Sequence, residues 1–294
     1  VTDPRTPSRL DAERRFAIEA VVAASRLTKA VRDDFDPDAE AVSKADSSPV
    51  TVADLGAQTL VAMALAEMLP GDSMMGEEDF DPLADSTDLS DAVLARVQAQ
   101  RPEVTLDDVR AALEACDDPA GPGRRWWTLD PVDGTKGFLR NEQYAVALAL
   151  IEDGEVVLGV MGCPNLPYCG EPGDPNVGGP IGVLFVAERG AGARMMPLFE
   201  ADADRAGEPI HAAAPATTAE ARYAESVEAA QAHGQEGNEA LTTSQQLRLP
   251  PVLGERVVGF GETGRRDVVE WCWLHVLPAA VAFGVMGKGF GNEV

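Results

Sequence analysis

Histidine and cysteine are scarce in this chain: there are three His and four Cys in 294 residues. The cysteines, Cys116, Cys163, Cys169 and Cys272, form no C-x-x-C pair, which argues against a zinc site. Nothing in their spacing demands disulfides, so a reducing compartment is the default. Basic residues are few as well. Against 49 Asp and Glu stand only 24 Lys and Arg, for a net charge of −25. That balance excludes a basic face for nucleic acid. It also repels a small phosphorylated molecule unless cations intervene. Lysine is scarcer than arginine; codon bias and a salt-rich habitat both explain that. No apolar run reaches the ~18 residues of a spanning helix, so no membrane partner is expected. No basic-plus-apolar leader opens the sequence. A cytoplasmic location is the expectation. An organellar one stays open, because residue 1 is Val1 rather than Met and the sequence can begin inside a longer precursor.

What is present suffices for one large domain or two lobes, with an ordinary hydrophobic content of 45%. Residues 11–34 carry Phe16, Ala20, Ala23, Leu27 and Val31 at spacings of three and four, which predicts an amphipathic helix ended by Asp36-Pro37-Asp38. Residues 80–125 read as a polar insertion with two modest helices, 89–98 and 106–115, closed by Gly121-Pro122-Gly123. It carries no motif and is expected to be an exposed excursion. Residues 144–151 and 155–161 read as strands joined by Asp153-Gly154, a strong hairpin turn. The first of them, YAVALALI, is apolar on both faces and predicts a central strand covered on both sides. Residues 163–167 read as a fixed loop and 170–180 as a Gly/Pro-rich surface loop. A further strand pair is expected around Arg189-Gly190, then a polar, Ala-rich connection over 197–221.

The most informative stretch is WWTLDPVDGTKGFLRNEQ, residues 126–143. Trp126, Trp127 and Leu129 suit a buried strand. Asp130 stands at its expected end, and Pro131 forces a turn. Asp133 brings a second carboxylate, with the Val132 carbonyl between them. Gly134 permits close backbone approach, and Thr135 opens a helix. Two carboxylates and a carbonyl suit Mg²⁺, a hard cation with oxygen ligands. N–H groups at Gly134 and Thr135 would then face a phosphate. An Asp-capped turn ahead of a helix is the plainer alternative.

Two other stretches carry acids. SKADSSPVTVADLGAQ, residues 43–58, reads as a turn at Ser47-Ser48-Pro49, a short extended piece over 50–52, and a helix running to about Leu69. Thr51-x-x-Asp54 reads by itself as a helix-capping pair. MMGEED, residues 74–79, reads by itself as a solvated acidic loop after a short apolar piece.

Together these motifs resemble a known family. LDPVDGTKGF resembles the signature of the lithium-sensitive, Mg²⁺-dependent phosphatases that include inositol monophosphatase. The longer run DPVDGTKGFLRNEQYAVALALIEDGEVVLGVMGCPNLP is most similar to their 3'(2'),5'-bisphosphate nucleotidase branch, and Lys-Gly-Phe-Leu-Arg is what sets that branch apart. The resemblance covers roughly residues 10–230. It implies an α/β (α+β) fold, a layered αβαβα sandwich of the inositol monophosphatase type. Residues 1–180 would form an N-terminal lobe with the metal site. Residues 181–294 would form an incomplete C-terminal lobe, atypical over 253–294. The resemblance further implies Mg²⁺, on the order of two or three ions, held by Glu77, Asp130, the Val132 carbonyl and Asp133. Asp54 paired with Thr135 would activate a water. Asp133, Gly134, Thr135 and His233 would contact a small nucleotide. His233 is also read as a solvent-exposed loop residue, since the matching position is Gln231. A monomer that converts 3'-phosphoadenosine 5'-phosphate to AMP and phosphate is implied, with 3'-phosphoadenylyl sulfate as second substrate and inhibition by Li⁺ and Na⁺.

Beyond Pro250-Pro251-Val252 the family pattern D-S-Q-x-K-Y and then W-D-x-A-A-G does not follow; LGERVVGFGETGRRDVVEWCWLHVLPAAVAFG stands there instead. A frame or splice change and a divergent C-terminus both produce such a break. Either way one metal carboxylate is lost. An inositol phosphate phosphatase, or an inactive relative, therefore remains an alternative to the nucleotidase.

Overall fold

The computed structural model describes residues 9–35, 48–116, 125–168, 180–205 and 207–210. Expectations for Asp36-Pro37-Asp38, Ser47, Gly121-Pro122-Gly123, most of the 170–180 loop and residues 211–294, His233 included, lie outside the described residues.

Helix α1, Asp11–Asp33, forms where the periodicity places it. It buries Phe16, Ala20, Leu27 and Val31. Phe16 meets the Trp127 indole edge-on, 4.9 Å between ring centroids, which docks α1 on the sheet.

Helix α2, Pro49–Met68, starts earlier than expected. Ser48 is its N-cap and accepts from the Thr51 backbone N–H at 3.2 Å, and Pro49 occupies the first turn. Residues 50–52 are therefore helical, not extended. The cap is Ser48, so the Thr51/Asp54 capping pair is not formed; Asp54 sits in the second turn and is buried. The helix is apolar nearly all round because it separates two cores. Ala57, Val61 and Leu65 pack toward α1 and the sheet. Val52, Leu55 and Leu60 pack toward the helices that follow. By length and composition α2 would cross a bilayer, contrary to the expectation that no run suffices, but 78% of the relevant window is buried inside the fold.

Strand β1, Ser73–Met75, leads to α3, Asp81–Asp85, α4, Thr87–Gln98, and α5, Leu106–Glu114. Ser86 caps α4, and Thr105 with Asp108 forms a capping box on α5. This insertion is not an exposed excursion. Leu89, Val93 and Val97 on α4, with Val109 and Leu113 on α5, join Leu55 and Leu60 in one buried cluster. Their spacing of four residues gives each helix an apolar face, and the outer side of α2 needs that cover.

One seven-stranded sheet follows the chain order β1 to β7. Its strands after β1 are β2, Arg125–Asp133; β3, Ala145–Glu152; β4, Glu155–Pro167; β5, Ile181–Glu188; β6, Gly192–Pro197; and β7, Glu208–Ile210. Among the described residues only β1 and β2 run parallel; each later pair is antiparallel. Asp153 (φ 52°) and Gly154 (φ 81°) form the tight β3–β4 turn that their identities predict. Every residue of β3 except Glu152 is buried, as expected of a central strand. The loop expected at 163–167 is instead the end of β4, irregular in register between Cys163 and Pro167. Within the expected 197–221 connection, residues 208–210 form a strand paired with β6. Strands β5 to β7 thus extend the same sheet past residue 180.

Candidate active site

Strand β2 does not stop at Asp130. It continues through Pro131 to Asp133, with Asp130 opposite Ala147 and Asp133 opposite Ala145. Three residues advance on β2 for two on β3, so one residue is extra: a bulge. Pro131 has no N–H for the ladder, and a bulge accommodates it. The sequence expectation of a strand that ends at Asp130 and turns at Pro131 is corrected in that respect. Gly134 follows at φ 91°, a left-handed conformation that costs glycine least, and α6 runs over Thr135–Leu139. A side chain at Gly137 would sit 1.9 Å from the Gln143 carbonyl oxygen, so this short helix lies directly on the chain that enters β3. Phe138 packs edge-on to Tyr144 at 5.0 Å between centroids, and Val132 is buried in the same cluster. The turn is thereby fixed from beneath.

Four carboxylates lie within electrostatic reach of one another around it. Burial raises Asp130 well above the usual carboxylate range, and the charges of Asp133, Glu77 and Asp54 raise it further. Burial also pushes Asp133 up to about 6, with Glu77 adding to the shift. Asp54 is raised well above its ordinary value by burial first, then by Glu78 and Glu77. Among the described residues none of Asp54, Glu77, Asp130 and Asp133 has an ion-pair partner. No three His, Cys, Asp or Glu side chains among the described residues form a ready-made cation shell. One atom nevertheless tests the fit. Asp130 Oδ1 is buried without a hydrogen-bond partner. A buried, unpaired carboxylate oxygen among other carboxylates is costly, and a hard cation would satisfy it. The donor set, all oxygen, fits such an ion.

The structure thus brings Asp54, Glu77, Asp130 and Asp133 together. It leaves Thr135 exposed at the start of α6 and not hydrogen-bonded to the buried Asp54, although α6 packs against α2. One participant escaped the sequence reading. Gln58, one turn after Asp54 on α2, is fully buried and hydrogen-bonds both backbone groups of Glu78. A polar residue four positions after Asp54 on an otherwise apolar helix was the available signal.

The inositol monophosphatase family model matches residues 11–258. A rice (Oryza sativa) protein named 3'(2'),5'-bisphosphate nucleotidase is 37% identical, over 96% of this chain and 85% of its own length. The Arabidopsis thaliana 3'(2'),5'-bisphosphate nucleotidase 1 is 34% identical, over 92% of this chain and 82% of its own. The Schizosaccharomyces pombe 3'(2'),5'-bisphosphate nucleotidase is 36% identical, over 78% of this chain and 67% of its own. The similarity therefore runs past residue 230, where the motif reading ended it. Among solved structures, CysQ from Bacteroides thetaiotaomicron, a bacterial member of the inositol monophosphatase family, aligns with a TM-score of 0.42 at 20% identity, over 71% of this chain and 61% of that one. An inositol monophosphatase from Anabaena (Nostoc) aligns with a TM-score of 0.42 at 17% identity, over 72% of this chain and 54% of that one. With a family match over most of its length, relatives above 30% identity and acids gathered at the D-P-V-D-G-T turn, the chain belongs to the inositol monophosphatase family.

Proposed function

We propose that this chain is a Mg²⁺-dependent 3'(2'),5'-bisphosphate nucleotidase. It hydrolyses 3'-phosphoadenosine 5'-phosphate to AMP and phosphate, and 3'-phosphoadenylyl sulfate in the same way. The observation that carries the reading is the set of acids in which Asp130 and Asp133 of the D-P-V-D-G-T turn are raised by burial and by the charge of Glu77, with Asp54 acting on Asp130 as well. Its relatives' names supply the substrate class.

Glu77, Asp130, Asp133 and the Val132 carbonyl would hold the Mg²⁺. A divalent ion there supplies positive charge to the phosphoryl oxygens and to the attacking water. The residues of the chain do the rest. A water oxygen attacks the 3'-phosphorus in line, and the bond from phosphorus to the ribose 3'-oxygen breaks. The leaving 3'-oxygen takes up a proton from solvent water, and the attacking water gives one up. The Thr135 hydroxyl, turned from its exposed position toward the helix that carries Asp54, takes the water's proton and passes its own to the Asp54 carboxylate, which holds it. The backbone N–H groups of Gly134 and Thr135 donate to the phosphoryl oxygens. The charge of −25 steers nothing anionic inward, so affinity for the substrate depends on the cation.

The test is phosphate release from 3'-phosphoadenosine 5'-phosphate, with and without Mg²⁺, compared with release from an inositol monophosphate. Release that needs Mg²⁺, prefers the nucleotide and vanishes in Asp130→Asn supports the reading. Folded protein that releases no phosphate would mark an inactive relative.

A further inference from the structure

We propose that Gln58 is a positioning residue for the cation: it locks the Gly76–Glu78 loop so that Glu77 reaches Asp130. The proposal rests on the Mg²⁺ reading above. Gln58 Nε2 donates to the Glu78 carbonyl at 2.6 Å, and its Oε1 accepts from the Glu78 N–H at 3.0 Å. One side-chain amide thus occupies both backbone groups of a single residue. The Glu78 peptide groups cannot turn without breaking one of these buried bonds. The loop is also laid flat on this amide. A methyl group at Gly76 would fall 2.3 Å from the Gln58 amide carbon and nitrogen, so position 76 has no room for a side chain. The Gly76 N–H meets the Cys116 carbonyl at 3.4 Å, a second and longer tether.

Glu77 therefore stands between two fixed neighbours while the residue itself stays exposed, and its charge raises the Asp130 carboxyl. Gln58 and Asp54 lie one turn apart on α2. The same rigid helix sets both the acidic loop and the buried Asp54. A glutamine that served only to fill the core would leave cation binding untouched when replaced by an apolar residue of similar size. One that aims Glu77 would not.

Gln58→Met keeps the bulk and removes both hydrogen bonds; Gly76→Ala keeps Gln58 and pushes the loop off it. Each variant is titrated with Mg²⁺ alone while its thermal midpoint is followed. Amide hydrogen exchange at Glu78 is read in the metal-free protein. Both variants should exchange the Glu78 amide faster. Both should need roughly 10-fold more Mg²⁺ for half of the thermal stabilisation. At saturating Mg²⁺ the KM for the nucleotide should stay within about 2-fold, because the loop touches the ion and not the base. A lower melting temperature with an unchanged Mg²⁺ midpoint would overturn the proposal and leave Gln58 as a packing residue. If Gln58→Met does not fold, the Gly76→Ala midpoint decides alone. A wild-type protein that Mg²⁺ fails to stabilise would overturn the Mg²⁺ reading itself, a different result from variants that match a responsive wild type.

Discussion

Both ends of β2 gather carboxylates, and the two gatherings are built differently. At the start of the strand, Arg125 takes up Asp72 at 2.8 Å, Glu13 at 2.6 Å and Glu152 at 3.2 Å. Arg9 reinforces Glu152, and the Trp127 indole N–H donates to Asp72 at 2.9 Å. Burial alone would lower Arg125, but its hydrogen bonds to Asp72 and Glu13 outweigh this and hold the guanidinium above its usual range. The Glu152 carboxyl is lowered by its hydrogen bond to Arg9. At the far end, Asp130 and Asp133 meet Glu77 and Asp54, and the shifts run upward. The first cluster carries its own cations and ties α1, the approach to β1 and the β3 hairpin to one strand end. The second is short of positive charge and is poised to take a cation from solution.

Neutralising one acid at the far end should have the largest effect. Asp130→Asn should lower Mg²⁺-dependent phosphate release by about 10³-fold or more, while raising the melting temperature of the metal-free protein by relieving repulsion. Phosphate assays and thermal melts in a chelator check the two halves. Loss of activity together with loss of metal-free stability would show that Asp130 is needed structurally, not as a ligand.

Next in size is a pH effect. The Asp133 carboxyl lies near 6 in the folded protein against 3.8 as reference. The folded state therefore holds a proton that the unfolded state has released. Its stabilising contribution is complete below about pH 3.8 and is lost as pH rises through about 6, by at most about 3 kcal/mol. Chemical denaturation of metal-free protein should show that decline. Saturating Mg²⁺ should flatten it, because the ion replaces the proton. A metal-free stability that climbs from pH 4 to 7 would contradict the cluster.

Breaking the opposite end should cost less and leave the chemistry alone. Arg125→Met should destabilise the protein by about 2 kcal/mol, since three half-buried carboxylates lose their shared partner. Its Mg²⁺ midpoint should stay that of the wild type, and urea titrations with and without Mg²⁺ measure both. The smallest change should come from a pair outside either cluster. Arg101 and Glu67 lie 2.5 Å apart at the surface, and Glu67→Gln should shift stability by only about 0.5 kcal/mol.

Half of the uncompensated cluster, Asp130 and Asp133, was legible in the residues themselves because its chemistry is local; Asp54 and Glu77 entered only through the family resemblance. D-P-V-D-G-T places two carboxylates, a proline and a glycine within six residues, and each has few roles. The helix periodicity of residues 11–33 and the Asp-Gly hairpin were legible for the same reason. What escaped depends on tertiary partners. Pro131 reads as an end, yet its neighbour strand holds on beyond it and turns the break into a bulge. Leu89, Val93, Val97, Val109 and Leu113 read as modest helices in a polar loop; only the outer face of α2 shows why they are buried. Gln58 shows in the sequence only as a polar residue on an apolar helix, and its role appears with the loop it holds. The compensated cluster is the extreme case, since Glu13, Asp72, Arg125 and Glu152 come from four separate stretches.

Helix α2 also bears on how the chain reaches this state. It is as apolar as a bilayer span, and its covers arrive at different times. Helix α1 precedes it in the sequence, the short β1, α4 and α5 follow closely, and the sheet strands from β2 onward come last. During synthesis, a sticky segment therefore leaves the ribosome with only one of its three neighbours already made. The insertion at 81–114 shortens the wait, because its helices shield one flank before β2 has been translated. Deleting that insertion should lower the yield of soluble product more steeply than it lowers the stability of molecules that have already folded.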